Sequence, residues 1–320
     1  MKQRNSSIEL LRIISMILIV LYHYHARKYN LYVVDTPRPE DADFLSKLMM
    51  HSLGKLGVPI FVFISGWFGV RFRKDRFFDL LLQCFFYAFL STILLGVCYG
   101  SFELKSIVFF LNHWWFIAGY LCLYLLAPGI DYLFETYNKK AILGIVLLFY
   151  FISFGDVVVN SAKIGGLYLM LTMYLSARWL RLYGADSLEK YGVILFLSAF
   201  IVRFGIIGVA YVSNHLNFLS YVNSYVSPLT TILVASIFIL FSKRRFHVKL
   251  INQVAVSCLS VYLFSESGFG QRFFSCLFPE EYSIMGYFYG ALLTFVIIVL
   301  LDQVRKFLSS RLFKLFKEEK

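Results

Sequence analysis

Arg12 and His23 are ionisable residues in a stretch, 8–25, that is otherwise almost wholly Ile, Leu, Val, Met and Tyr. Eleven helical steps of about 100° each return to within roughly 20° of the starting direction, so the two side chains share one helix face, about 16 Å apart along the axis. Glu9, one turn before Arg12, falls near the same stripe. An acid, a guanidinium and an imidazole on one side of a membrane helix have to face a protein interior or a wet cavity. Snorkelling to an interface accounts for Glu9 and Arg12 but not for His23. Imidazole, with an unperturbed pKa of about 6.5, suits removal of a hydroxyl proton near neutral pH. His25, two steps on, points about 160° away from His23.

Three other groups of residues could take part in such chemistry. Arg71, Arg73 and Arg76 crowd a short basic stretch that follows Phe61-Val62-Phe63-Ile64-Ser65-Gly66-Trp67. Guanidinium forks suit phosphate oxygens, and Ser65-Gly66 would let a hydroxyl and backbone approach a ligand, although the same cations also serve as topology determinants. His113-Trp114-Trp115 opens an apolar run at its outer end, as an interfacial aromatic belt or as a platform for sugar rings. Glu266 sits among Ser257, Ser260, Tyr262, Ser265 and Ser267 at the same expected depth as His23. A carboxylate that deep calls for a partner, and His23 and Arg203 are the candidates.

The elements that position these residues are membrane helices. Hydrophobic residues make up 59% of the 320, charged residues 16%, and the mean hydropathy is +0.70, all far from a water-soluble domain. Ten apolar segments are long enough to cross a bilayer: 8–25, 50–70, 77–99, 112–131, 141–156, 164–183, 191–212, 224–242, 250–270 and 284–302. The expectation is an all-α integral membrane protein, a bundle of about ten transmembrane helices forming one domain over 1–320. Connections on one side carry most of the Lys and Arg, among them Lys2, Arg4, Arg71, Arg73, Lys74, Arg76, Lys139, Lys140, Arg178, Arg181, Lys190, Lys243, Arg244, Arg245 and Lys249. Arg27, Lys28, Arg38, Lys47, Lys55, Lys105, Lys163 and Arg272 fall on the other. The positive-inside rule then makes both termini cytoplasmic, and the net charge of +12 needs no nucleic-acid partner. The five cysteines lack paired spacing, so neither a metal site nor a disulfide framework is expected, and no cleaved secretory signal is expected either.

In this order the motifs resemble acyltransferase family 3, bacterial membrane proteins that acylate extracytoplasmic glycans. The family's basic residue, ten residues and His correspond to Arg12 and His23, and its Ser-Gly-Phe to Ser65-Gly66-Trp67 after Pro59-Ile60-Phe61. Its Arg-x-x-Arg corresponds to Arg73 and Arg76, and its aromatic run to Trp115, Phe116, Tyr120, Tyr124 and Pro128. Ser227-Pro228 and Val261-Tyr262-Leu263 also match, while Ser265 stands where many members carry His. The resemblance implies transfer of an acyl group, most often acetyl, from cytoplasmic acyl-coenzyme A to a sugar hydroxyl outside a bacterial plasma membrane. Acyl-coenzyme A is then a donor substrate, with no cofactor bound permanently, and the partners are membrane lipid and a glycan or glycolipid. His23, Glu266 and Arg12 would carry catalysis; Ser65, Gly66, Arg71, Arg73 and Arg76 would hold the donor; His113, Trp114 and Trp115 would hold the acceptor. The alternative is a glycan or lipid-linked sugar transporter of the same architecture. The sequence lacks the internal repeat common in transporters, which favours the enzyme.

Overall fold

The computed structural model describes residues 4–31, 41–159, 165–216 and 219–318. Lys2, Arg38 and Lys163, assigned sides above, lie outside the described residues. The chain forms α1 (Ser6–Lys28), α2 (Phe44–Gly54), α3 (Gly57–Phe68), α4 (Lys74–Tyr99), α5 (Leu104–Val108), α6 (Phe110–His113), α7 (Trp115–Thr136), α8 (Lys139–Val159) and α9 (Gly165–Trp179). A π-helical turn, Leu180–Gly184, leads to α10 (Ala185–Val212), α11 (Leu219–Val222), α12 (Pro228–Ser242), α13 (Lys249–Ala255), α14 (Cys258–Ser265), α15 (Gly268–Phe273) and α16 (Ile284–Glu318). No strand occurs among the described residues.

Local chemistry sets several of these ends. The Asn5 side chain accepts from the Ser7 amide at 3.1 Å to cap α1, whose first turn holds Glu9 and whose last turn holds His25, Arg27 and Lys28, matching the helix dipole. Ser227 caps α12 through the Thr230 amide at 3.1 Å, with Pro228 in the first helical position. Gly100, at φ 67°, closes α4 in the left-handed conformation.

Six helical stretches among the described residues are long and apolar enough to cross a membrane: Ser6–Lys28, Phe44–Phe68, Lys74–Tyr99, Trp115–Thr136, Gly166–Val212 and Ile284–Phe307. Pro228–Ser242 and Lys249–Ser265 are shorter apolar helices. The ten expected apolar segments map onto these helices unevenly. Segments 164–183 and 191–212 belong to one helical stretch of 47 residues, bent where Gly184 takes φ −127°. Segment 50–70 begins earlier, at Phe44, and breaks at Lys55–Leu56; segment 250–270 divides into α13, α14 and α15.

The basic connections gather at one end of the bundle. There the Ser6 amide donates to Phe246 O at 3.0 Å, Ser7 Oγ to Phe241 O at 2.6 Å, Trp179 Nε1 to Lys139 O at 3.2 Å, and Lys243 Nζ to Glu189 O at 2.5 Å. Arg178 pairs with Asp131 at 3.0 Å, and Arg181 donates to Trp67 O. At the opposite end Tyr24 Oη donates to Gly270 O at 2.9 Å and Lys28 Nζ to Pro279 O at 2.9 Å.

Helix α1 is the central post, packed by α2, α3, α12, α13, α14 and α16. Close approach relies on glycine. A Cβ at Gly57 would stand 2.5 Å from Ser15 O of α1, and one at Gly66 would stand 2.6 Å from Tyr174 O of α9. Outward faces are apolar, as with Phe85, Phe89, Leu147, Phe151, Ile201 and Leu300, which suits lipid.

Candidate active site

The break between α14 and α15 brings Glu266 to the interior end of α1. Glu266 sits just past the last turn of α14 and is buried, as is His23. Its Oε2 accepts from Arg27 Nη2 at 2.5 Å and lies 3.3 Å from His23 Nδ1. Its backbone carbonyl accepts from Gln271 Nε2 at 2.9 Å and lies 3.0 Å from His113 Nε2. Ser267 caps α15 by accepting from the Gly270 amide at 3.1 Å, and Tyr24 Oη donates to Ser265 O at 3.1 Å and to Gly270 O. An interrupted helix leaves amides and carbonyls to be met by side chains, and here those side chains come from α1, α6 and α15.

The arrangement can orient an imidazole. Arg27 compensates the Glu266 charge, so a carboxylate can persist in a low-dielectric site, and the carboxylate fixes the His23 ring through Nδ1. With Nδ1 turned to Glu266, proton acceptance falls to Nε2, and the adjacent carboxylate stabilises the imidazolium that results.

Of the two partners expected for Glu266, His23 is the one found. Arg203 belongs to a separate buried cluster, donating to Thr230 Oγ1 (2.7 Å), Ser52 Oγ (2.8 Å), Val222 O (3.1 Å) and Asn223 Oδ1 (3.2 Å). His25 points away from the site, among Tyr29, Tyr282 and Tyr287. Arg27 was missed, having been placed with the outer connection. Its signal was available, since it stands four residues after His23 and hence on the same face.

At the basic end a cavity of about 960 Å³ opens beside the start of α1. Arg4, Arg12, Arg181, Lys243 and Arg245 line it together with the acids Glu9 and Glu189. Arg12 Nη1 donates to both Glu9 oxygens at 2.8 and 3.0 Å. The expected donor residues do not all meet at this cavity. The Arg71 and Arg73 side chains are exposed on the α3–α4 connection and Arg76 is exposed in the first turn of α4; none lines the cavity, and the connection is tied at Val70, whose amide donates to Tyr174 Oη at 2.9 Å. Gly66 is occupied by helix packing against α9 rather than open to a ligand, and Ser65 Oγ donates to Phe61 O at 3.2 Å. Arg12 lines the cavity and pairs with Glu9, at the other end of α1 from the His23–Glu266 pair.

The aromatic group also divides. Trp114 is 1% exposed and has no open face for a sugar, which corrects its expected role; its neighbour His113 reaches Glu266. Trp115 is 38% exposed and stacks on Tyr225 with centroids 6.3 Å apart.

A helical multi-pass membrane protein with a buried His–Glu pair joined by a partly exposed arginine, and a cationic cavity along one central helix, is the class these features define. Residues 5–307 match the family model for the acyltransferase family 3 domain, nearly the whole chain, and the protein belongs to that family. Neither a curated protein nor a solved structure matches the chain.

Proposed function

We propose that this membrane acyltransferase moves an acetyl group from cytoplasmic acetyl-coenzyme A to a hydroxyl of a polysaccharide or glycolipid outside a bacterial plasma membrane, across ten spans with both termini inside. The observation that carries the reading is that α1 has the cationic cavity at one end and the His23–Glu266–Arg27 cluster toward the other. Five cations against two acids make the cavity electropositive, which suits the phosphates of coenzyme A. The thioester arm then reaches along α1 toward His23. As the sugar oxygen attacks the thioester carbonyl, His23 Nε2 takes the hydroxyl proton; the C–S bond breaks, and the leaving thiolate receives that proton from the imidazolium. Glu266 holds the ring in place throughout, and Trp115 with Tyr225 offers an aromatic face to the acceptor. Ten crossings follow if the bent 47-residue stretch crosses twice and α8, α12 and the α13–α14 pair each cross once.

The test is alkali-labile acetate on the surface glycan of cells expressing the protein. Wild type adds acetate; His23→Gln, which keeps hydrogen bonding but is no base, leaves the glycan unacetylated at normal membrane abundance. Undiminished acetylation by His23→Gln overturns the reading and favours transport.

A further inference from the structure

Lys55 stands where α2 gives way to α3, inside the membrane-spanning stretch Phe44–Phe68. Its neighbours in sequence press on α1: a Cβ at Gly54 would stand 2.8 Å from Tyr22 Cβ, and one at Gly57 would stand 2.7 Å from Ile19. The ammonium is therefore held beside the Ile19–Tyr22 turn of α1, the turn that leads into His23. It lies over the rings of Tyr225 and Tyr22, 5.6 and 5.9 Å from their centroids. Tyr22 packs edge-on against His23, with centroids 5.1 Å apart, and Tyr225 stacks on Trp115. Lys55 is thus linked through Tyr22 to His23 and through Tyr225 to the exposed Trp115, with Arg203 and His51 also facing it.

Its charge is uncompensated. The other interior cations have counter-ions: Arg12 has Glu9, Arg27 has Glu266, Lys47 has Asp41, Arg178 has Asp131, and Arg305 with Lys306 has Asp302. Arg203 has no carboxylate within 4.0 Å but is enclosed by neutral oxygens. Among the described residues, no carboxylate lies within 4.0 Å of Lys55 and no acceptor receives a hydrogen bond from its Nζ. Cation–π contacts return only a fraction of the hydration that an ammonium loses on leaving water. Lys55 is partly exposed, and an ammonium so placed faces either a wet cavity or a counter-ion; with no carboxylate of the chain beside it, the acid group of a ligand can take that place.

We propose that Lys55 reads a negative charge on the acceptor, so that the sugar presented to His23 carries a carboxylate or a phosphate close to the hydroxyl acylated. The proposal rests on the acyltransferase reading above and narrows its acceptor to acidic glycans. Tyr22 and Tyr225 hold the ammonium in place while the acid docks, and Trp115 faces the ring.

The experiment uses full-length protein in detergent with coenzyme A present to fill the cationic cavity. Tryptophan fluorescence follows titration with D-glucuronate, D-glucose 1-phosphate and D-glucose. At least one acidic sugar should bind tenfold or more tighter than glucose, and comparison of the two acids tells carboxylate from phosphate. Lys55→Met should abolish the preference, and Lys55→Arg should keep it. Equal binding of all three by wild type, no binding of any, or a preference that survives Lys55→Met overturns the proposal. The wild-type comparison decides even if Lys55→Met does not fold. Acetylation that requires His23 in a protein without acid preference would leave the reaction standing and remove only this inference.

Discussion

Arg27 decides whether Glu266 is a stable carboxylate at all. A buried acid beside a neutral imidazole alone would be an uncompensated charge, and its Oε1 already lies buried without a hydrogen bond. Charge-assisted hydrogen bonds are worth about 1.5–3 kcal/mol, or about 10- to 150-fold in rate if the interaction is fully used in the transition state. The Arg27 side chain is 30% exposed, so the lower half of that range applies. Arg27→Gln should lower acetylation by about tenfold at unchanged membrane abundance, and Arg27→Lys should recover part of it; equal activity in all three would show that Glu266 needs no counter-ion. The pairing of His23 with Glu266 was legible from the sequence because each is a lone ionisable group at matching depth. Arg27 was not, because counting basic residues by connection assigns it to the outside, while helix α1 runs on through it to Lys28. Charge alone cannot say whether a residue near a helix end faces solvent or the interior.

Periodicity within a helix is readable; rotation of one helix against another is not. The Arg12–His23 stripe came from the first kind of information and holds. Gly66 needed the second kind. In sequence a glycine after Ser65 serves a ligand or a neighbouring helix equally well, and only the placement of Tyr174 and Ala177 against it, at 2.6 and 2.8 Å from a would-be Cβ, decides for α9. Gly66→Ala should therefore push α3 off α9, at a cost of about 1–3 kcal/mol, and lower the thermal midpoint of the detergent-purified protein. Gly129→Ala, where a Cβ meets nothing within 4 Å, is the control that should not. A midpoint unmoved by Gly66→Ala would return that glycine to the ligand. The cationic residues are a similar case: Arg71, Arg73 and Arg76 are conspicuous together, whereas Arg4, Arg12, Arg181, Lys243 and Arg245 come from three distant stretches that meet only in three dimensions.

At the scale of the molecule, length settles what local helicity leaves open. Gly166–Val212 is continuous in its hydrogen bonding, yet 47 residues would span about 70 Å, more than twice a bilayer's apolar core of about 30 Å. Two crossings require a reversal near the π-helical turn and Gly184, where Arg181 donates to Trp67 O and Lys243 to Glu189 O at one end of the bundle. Topology reporters fused after Lys140 and after Gly184 should both read cytoplasmic, and one after Tyr99 should read external. An external reading after Gly184 would require a different path for the chain and a different number of crossings.

The position of α1 also sets an order of events during synthesis. It precedes its partners in the chain, some of them by more than two hundred residues: Ser6 and Ser7 are bound by residues 241–252, and His23 and Arg27 by Glu266. At about 5–20 residues per second, roughly 240 residues of further translation separate His23 from its carboxylate by about 12–50 s. For that interval a helix bearing an arginine, a histidine and a second arginine along one face has only α2, α3 and later arrivals to shield it from lipid. The ionisable stripe of α1 is thus also the part of the chain most dependent on the insertion machinery, and any nascent product stopped before residue 266 leaves His23 and Arg27 without their carboxylate.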